Sequence, residues 1–118
     1  MKRFVIEQSE DEFYTSHSGT ALIGLCLNRM MPLRQRLKKV APPRKNAISH
    51  ADVVSSYLGL LCLGKSDFTA IETYRQDPFF RQALGLKQVP SEPTLRQRLK
   101  ARADAFRWVV DGCNALFL

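Results

Sequence analysis

Between Phe13 and Ala51 the sequence holds no aspartate and no glutamate. Arg29, Arg34, Arg36, Lys38, Lys39, Arg44 and Lys45 fall in that stretch, so its positive charge has no acid close in sequence to neutralise it. Cysteine is also scarce: Cys26, Cys62 and Cys113 stand far apart in apolar company. Three cysteines do not make a secreted disulfide framework, and neither C-x-x-C spacing nor a nearby histidine pair marks a zinc site. The expectation is buried free thiols in a reducing compartment. Long apolar runs are missing too. "TALIGLCLNRMM" falls short of the roughly 20 residues a bilayer-spanning helix needs, and it lies too deep behind a polar, acidic start to be a signal peptide. These absences predict a cytoplasmic protein with no membrane partner.

The 118 residues suffice for a domain with a real core, and the hydrophobic share of 45% and charged share of 25% are ordinary for a soluble globular chain. Net charge is +7, with a pI near 9.7. The acids collect in "EQSEDE" near the start and occur singly further on. Segregated positive charge sets up a field that attracts phosphates, at the cost of self-repulsion. A solvated basic loop that resists aggregation is the plainer alternative.

"RFVIEQ" and "EFYTS" read as two strands joined by "SEDE", a small N-terminal β-hairpin that would need helices to lean on. "SGTALIGLCLNRMM" then reads as a helix capped at Ser18 and broken at Pro32. "LRQRLKKV" resumes helical spacing through Leu33, Leu37 and Val40, and "APPRKNAIS" is a basic linker. Ser49 with Asp52 makes a capping-box-like start for "ADVVSSYLGLLCLG", a core helix closed by Gly64. "SDFTAIETYRQ" and "DPFFRQALG" follow, the second with Asp77 as cap and Pro78 at the first helical position. A last helix starts at Ser91 and is expected to run to the chain end. The organisation predicted is residues 1–48 (β element, helix and basic linker) followed by residues 49–118 (helical region), in a mainly α fold.

In the last helix, Leu95, Leu99, Phe106 and Val110 share one face at 3.6-residue spacing. Thr94, Gln97 and Arg98 fall toward the outward side near its start, with Arg96 and Lys100 beside them. Arginine can grip guanine bidentately, glutamine can take adenine, and threonine can meet the thymine methyl. Recognition helices present such N-terminal residues to base edges, while flanking cations hold phosphates. A DNA-binding set follows: Thr94, Arg96, Gln97, Arg98 and Lys100, backed by Arg34, Arg36, Lys38, Lys39, Arg44 and Lys45. "GLKQVPS" ahead of this helix exceeds the usual three- or four-residue turn, so a helix-turn-helix here would be a loosened variant. Trp108 falls opposite the packing face, and Phe117 and Leu118 end an apolar tail; exposed apolar surface of this kind marks an interface.

"SHSGTALIGLCLNR", "AISHADVVSSYLGLLCLGKSDFTAIETYRQDPFFRQALGLKQVPSEPTLRQRL" and "ADAF" resemble the N-terminal region of bacterial insertion-sequence transposases of the DDE domain group 1 family. The resemblance covers nearly the whole chain. It implies a helical, helix-turn-helix-like part that binds the terminal inverted repeats of a mobile element as double-stranded DNA, in the bacterial cytoplasm. In the full-length family a downstream ribonuclease-H-like domain holds divalent ions such as Mg2+ on three carboxylates. No carboxylate here matches that triad: Asp67 and Asp77 read as helix starts, Asp104 and Asp111 as helical, Glu92 as part of a cap. His17 and His50 read as structural. The expectation is therefore a truncated, non-catalytic DNA-binding portion without a metal or other cofactor of its own. The alternatives are a helical oligomerisation or inter-domain module using Trp108, Phe117 and Leu118, with a second copy or the missing catalytic domain as partner, and a functionless remnant of a transposase gene.

Overall fold

The computed structural model describes residues 19–30, 32–40 and 42–117, and among these it is helical without a strand. The hairpin expected in the first sixteen residues lies outside them. The helices are α1 (Thr20–Leu25), α2 (Leu33–Leu37), α3 (His50–Cys62), α4 (Ile71–Tyr74), α5 (Pro78–Leu84), α6 (Glu92–Ala101) and α7 (Ala103–Phe117). A π-turn at Cys26–Met30 extends α1, and a 3-10 turn at Phe68–Ala70 leads into α4.

Local chemistry accounts for most boundaries. Ser49 accepts the Asp52 N–H at 3.2 Å and starts α3. Its end is a left-handed Gly64 (φ 77) with Lys65 N–H bonded to Leu60 O and Gly64 N–H to Leu61 O, the paired closure of a Schellman motif. Gly85 (φ 66) closes α5 the same way through Leu86 N–H to Arg81 O and Gly85 N–H to Gln82 O. Asp77 caps α5 at the Phe79 N–H. Two oxygens cap α6: Ser91 Oγ accepts the Thr94 N–H, and Glu72 Oε1 accepts the Glu92 N–H at 2.8 Å.

Ser18, expected as the cap of α1, lies outside the described residues, and Gly19 occupies the N-cap position without a side-chain cap. Three expectations need correcting. The helix expected from Ser18 to Pro32 does not stay α-helical past Leu25: the Asn28 amide donates to Gly24 O at 2.8 Å, competing for the carbonyl that α-geometry reserves for the Asn28 N–H, and the chain widens to a π-turn there. The last helix is not continuous: it breaks at Arg102 (φ −120, ψ 20) because α6 packs on α3 while α7 turns to pack on α2. The break shifts the buried face of α7 to Phe106, Val109 and Cys113, with Val110 only partly covered. All three cysteines are free thiols, but the burial expected of them holds for Cys113 alone: Cys26 is intermediate and Cys62, at the end of α3, is exposed.

The core is one continuous cluster. Leu27, Leu33 and Leu37 pack with Val53, Leu60, Ile71, Phe80, Leu84, Leu95 and Phe106. Residues on either side of position 48 thus share a core. A Cβ at Gly24 would overlap the Ala83 carbonyl oxygen, which shows how closely α1 approaches α5.

Candidate nucleic-acid interface

The eleven residues expected to meet DNA separate into three groups. The first is turned inward. Arg98 donates from one terminal nitrogen to Ile48 O at 2.7 Å, and its other lies 2.7 Å from His50 Nδ1. Arginine only donates, so His50 Nδ1 is the acceptor in this contact. His50 is 4% exposed and meets Phe106 edge-on at 5.2 Å. Burial, and then the charge of Arg102, pull the Arg98 guanidinium below its usual pKa. Arg34 is engaged likewise, donating to Asn28 Oδ1 and Gly85 O at 2.7 Å each and pairing with Asp52 at 3.4 Å. Asp52, 2% exposed, also accepts the Lys87 and Gln88 N–H groups. It therefore does not reach back in a reciprocal capping box. Its carboxylate pins the connection between α5 and α6 instead. The Thr94 hydroxyl pairs with Ser91 Oγ at 3.0 Å.

The second group flanks an apolar groove. Arg96 is held by Glu92 one turn earlier and lies 5.4 Å over the Phe68 ring. Arg96, Lys100 and Arg107 line a groove of about 720 Å³ walled by Tyr57, Leu58, Leu61, Leu99 and Val110. At 3.6 residues per turn, positions 96 and 98 stand about 160° apart around α6. The cations at the head of this helix are thus divided between opposite flanks and do not form one patch. Gln97 is exposed between them.

The third group is brought together by α2 and the α6–α7 junction. One cleft of about 560 Å³ is lined by Arg36, Lys39, Val40, Arg102, Ala105, Trp108 and Val109. A second, of about 470 Å³, shares Val40 and is lined by Arg34, Lys38, Pro42, Pro43, His50 and Lys87 among others. Neither is lined by an aspartate or glutamate. Arg36, Lys38, Lys39, Lys87 and Arg102 have no carboxylate partner within 4.0 Å among the described residues. Arg44 and Lys45 are exposed in the linker. Gly112 makes room for Arg36: a Cβ there would stand 2.5 Å from an Arg36 terminal nitrogen. A mid-helix glycine costs about 1 kcal/mol relative to alanine, and the space it leaves admits a guanidinium onto α7.

Sequence reasoning missed Lys87 and Arg102. Lys87 sits on the loop that Asp52 pins, a contact 35 residues apart. Arg102 falls inside what the sequence predicts as one continuous helix, and its signal exists only once that helix breaks. Trp108 stands out from the surface at 79% exposure, as its position on the helix predicted. The Phe117 side chain and Leu118 lie outside the described residues.

Among the described residues, no three histidine, cysteine or acidic side chains gather into a metal-holding group. None of the described helices is long and apolar enough to cross a membrane. Compared with protein-family models, curated proteins and solved structures, the chain matches none.

Proposed function

We propose that this chain binds double-stranded DNA through the surface that joins α2, the following linker and the α6–α7 junction. The observation that carries this reading is the pair of adjoining clefts at Val40, lined by Arg36, Lys38, Lys39, Lys87 and Arg102 without a carboxylate. Cations held near one another without acids repel, and a phosphate backbone relieves that repulsion while releasing its own counterions. Arg34 and Arg98 serve this surface indirectly, by fixing the loops that carry Lys87 and Ile48. The Thr94 hydroxyl and both terminal nitrogens of Arg98 are engaged within the protein, and the Arg98 Nε is buried without a partner among the described residues, so Gln97 is the member of the expected reading set left for a base edge.

The resemblance to the N-terminal region of DDE group 1 transposases gives this binding a context: recognition of an element's terminal repeats by a helical, loosened helix-turn-helix-like part in the bacterial cytoplasm. Binding rather than cleavage fits the carboxylates. Asp52 pins a loop, Asp67 and Asp77 cap helices, Glu72 caps α6, and Glu92 holds Arg96. A labelled random duplex titrated at rising salt tests the reading. Affinity that falls steeply with salt, and that improves when terminal-repeat sequence replaces random sequence, supports it. No retention at low salt removes DNA binding, and equal retention of both duplexes removes end recognition.

The assembly alternative finds its strongest feature in exposed Trp108. The ring, however, stands among Arg36, Lys39 and Arg102, three cations without a carboxylate partner among the described residues, which a second copy of this basic chain would repel and a phosphate would neutralise. Those surroundings suit a nucleic acid better.

A further inference from the structure

We infer that the Trp108 cleft holds an unpaired nucleotide of a DNA strand, its base stacked on the indole and its phosphate among Arg36, Lys39 and Arg102. This rests on the DNA-binding reading above and narrows the substrate at one part of that surface. An exposed indole offers a flat π-face, and in a duplex the faces of the bases are already covered by their neighbours. Away from the duplex ends an unpaired base is the one with a face to lay on it, and base–aromatic stacking of this kind is tolerant of sequence.

The cleft has the other parts a nucleotide needs. Val40, Ala105 and Val109 supply apolar walls, and its volume of about 560 Å³ lies within the range of small-ligand clefts. The three cations come from two separate parts of the chain: Arg36 and Lys39 from α2 and the turn after it, Arg102 from the break between α6 and α7. None has a carboxylate within 4.0 Å among the described residues. Arg36 is partly buried, and one of its terminal nitrogens lies against α7 in space that a Cβ at Gly112 would enter. A buried or half-buried cation without a counterion is costly, and a bound phosphate supplies one. Arg102 also bears on Arg98, whose pKa it lowers, so an anion beside Arg102 eases a repulsion already present in the free protein.

Trp108 is the only tryptophan in the chain, so its emission reports on this cleft directly. The test titrates the full chain with a short oligothymidylate and, separately, with a blunt duplex of equal length, following both Trp108 emission and the anisotropy of labelled DNA. The expected result is saturable quenching by the oligothymidylate, with much less quenching by the duplex although the duplex binds. Trp108→Ala should lose about tenfold or more in affinity for the oligothymidylate, a clearly larger loss than it shows for the duplex. That substitution lies at an exposed ring and does not touch the core. Arg102→Gln, with the ring intact, should weaken the single strand as well.

Duplex binding with no quenching by either DNA, and equal single-strand affinity for wild type and Trp108→Ala, overturns the inference and leaves the duplex reading standing. Quenching by the oligothymidylate without duplex binding supports the inference and removes the duplex reading. Failure to bind either DNA removes both. An emission shift that follows protein concentration, with no response to DNA, overturns the inference and makes the cleft an interface between copies.

Discussion

A guanidinium beside a ligand surface can direct its five donors to the ligand or to its own protein, and Arg34, Arg36 and Arg98 divide on that choice. Arg98 closes the Ile48 carbonyl and His50 onto α6, and Arg34 ties Asn28, Gly85 and Asp52. Hydrogen bonds from charged groups are worth about 1.5–3 kcal/mol each, and stranding a buried partner adds to the loss. Arg98→Ala is therefore expected to destabilise the fold by roughly 2–4 kcal/mol in urea unfolding. Gln97→Ala, at an exposed position, should stay within about 0.5 kcal/mol of wild type while changing discrimination between duplex sequences. If the two variants showed equal stability, Arg98 would not be the tie described. A helical wheel gave the direction of Trp108 and of Leu95 correctly, because direction follows from spacing alone. It could not separate Arg98 from Gln97, since the acceptors that claim Arg98 lie 48 and 50 residues away.

At the scale of elements, caps were readable and continuity was not. Ser49, Gly64, Asp77, Gly85 and Ser91 all perform the terminal roles their chemistry favours. The break at Arg102 was invisible because "KARADAF" contains no glycine or proline; it arises from α6 and α7 having different packing partners. Two glycines give opposite predictions. Gly24→Ala should lower stability by about 1–3 kcal/mol, since the added methyl meets backbone on α5 that cannot withdraw. Gly112→Ala meets only the end of a flexible arginine, so thermal stability should hold or rise by up to about 1 kcal/mol from helix propensity. Its expected effect is weaker DNA binding, read by anisotropy, as Arg36 is displaced. The cap of α6 also carries a pH dependence. Hydrogen bonds from the Glu92 N–H, and then from Arg75, hold the Glu72 carboxyl below its usual pKa. Its contribution is present above the unfolded-state value and is lost as pH falls through the lower folded value. Thermal melts should thus show an acid-side loss that Glu72→Gln reduces.

Across the whole molecule, the one core joins residues before and after position 48, so the basic stretch near α2 is anchored on the body that carries α6 and α7. The acid-free run from Phe13 to Ala51 signalled a cationic surface in sequence, and the structure supplies what the sequence could not: which distant cations join it. Lys87 and Arg102 face α2 across adjoining clefts, while Arg96 and Lys100 turn to an apolar groove. The most direct test of the central claim is the salt dependence of duplex binding in two double variants. Each phosphate contact contributes about 0.9 to the slope of log affinity against log salt, so Lys39→Gln with Arg102→Gln should flatten the slope by nearly 2. Arg96→Gln with Lys100→Gln should leave it close to wild type. A slope unchanged in the first pair and flattened in the second would place the grip on the opposite flank of α6 and contradict the account.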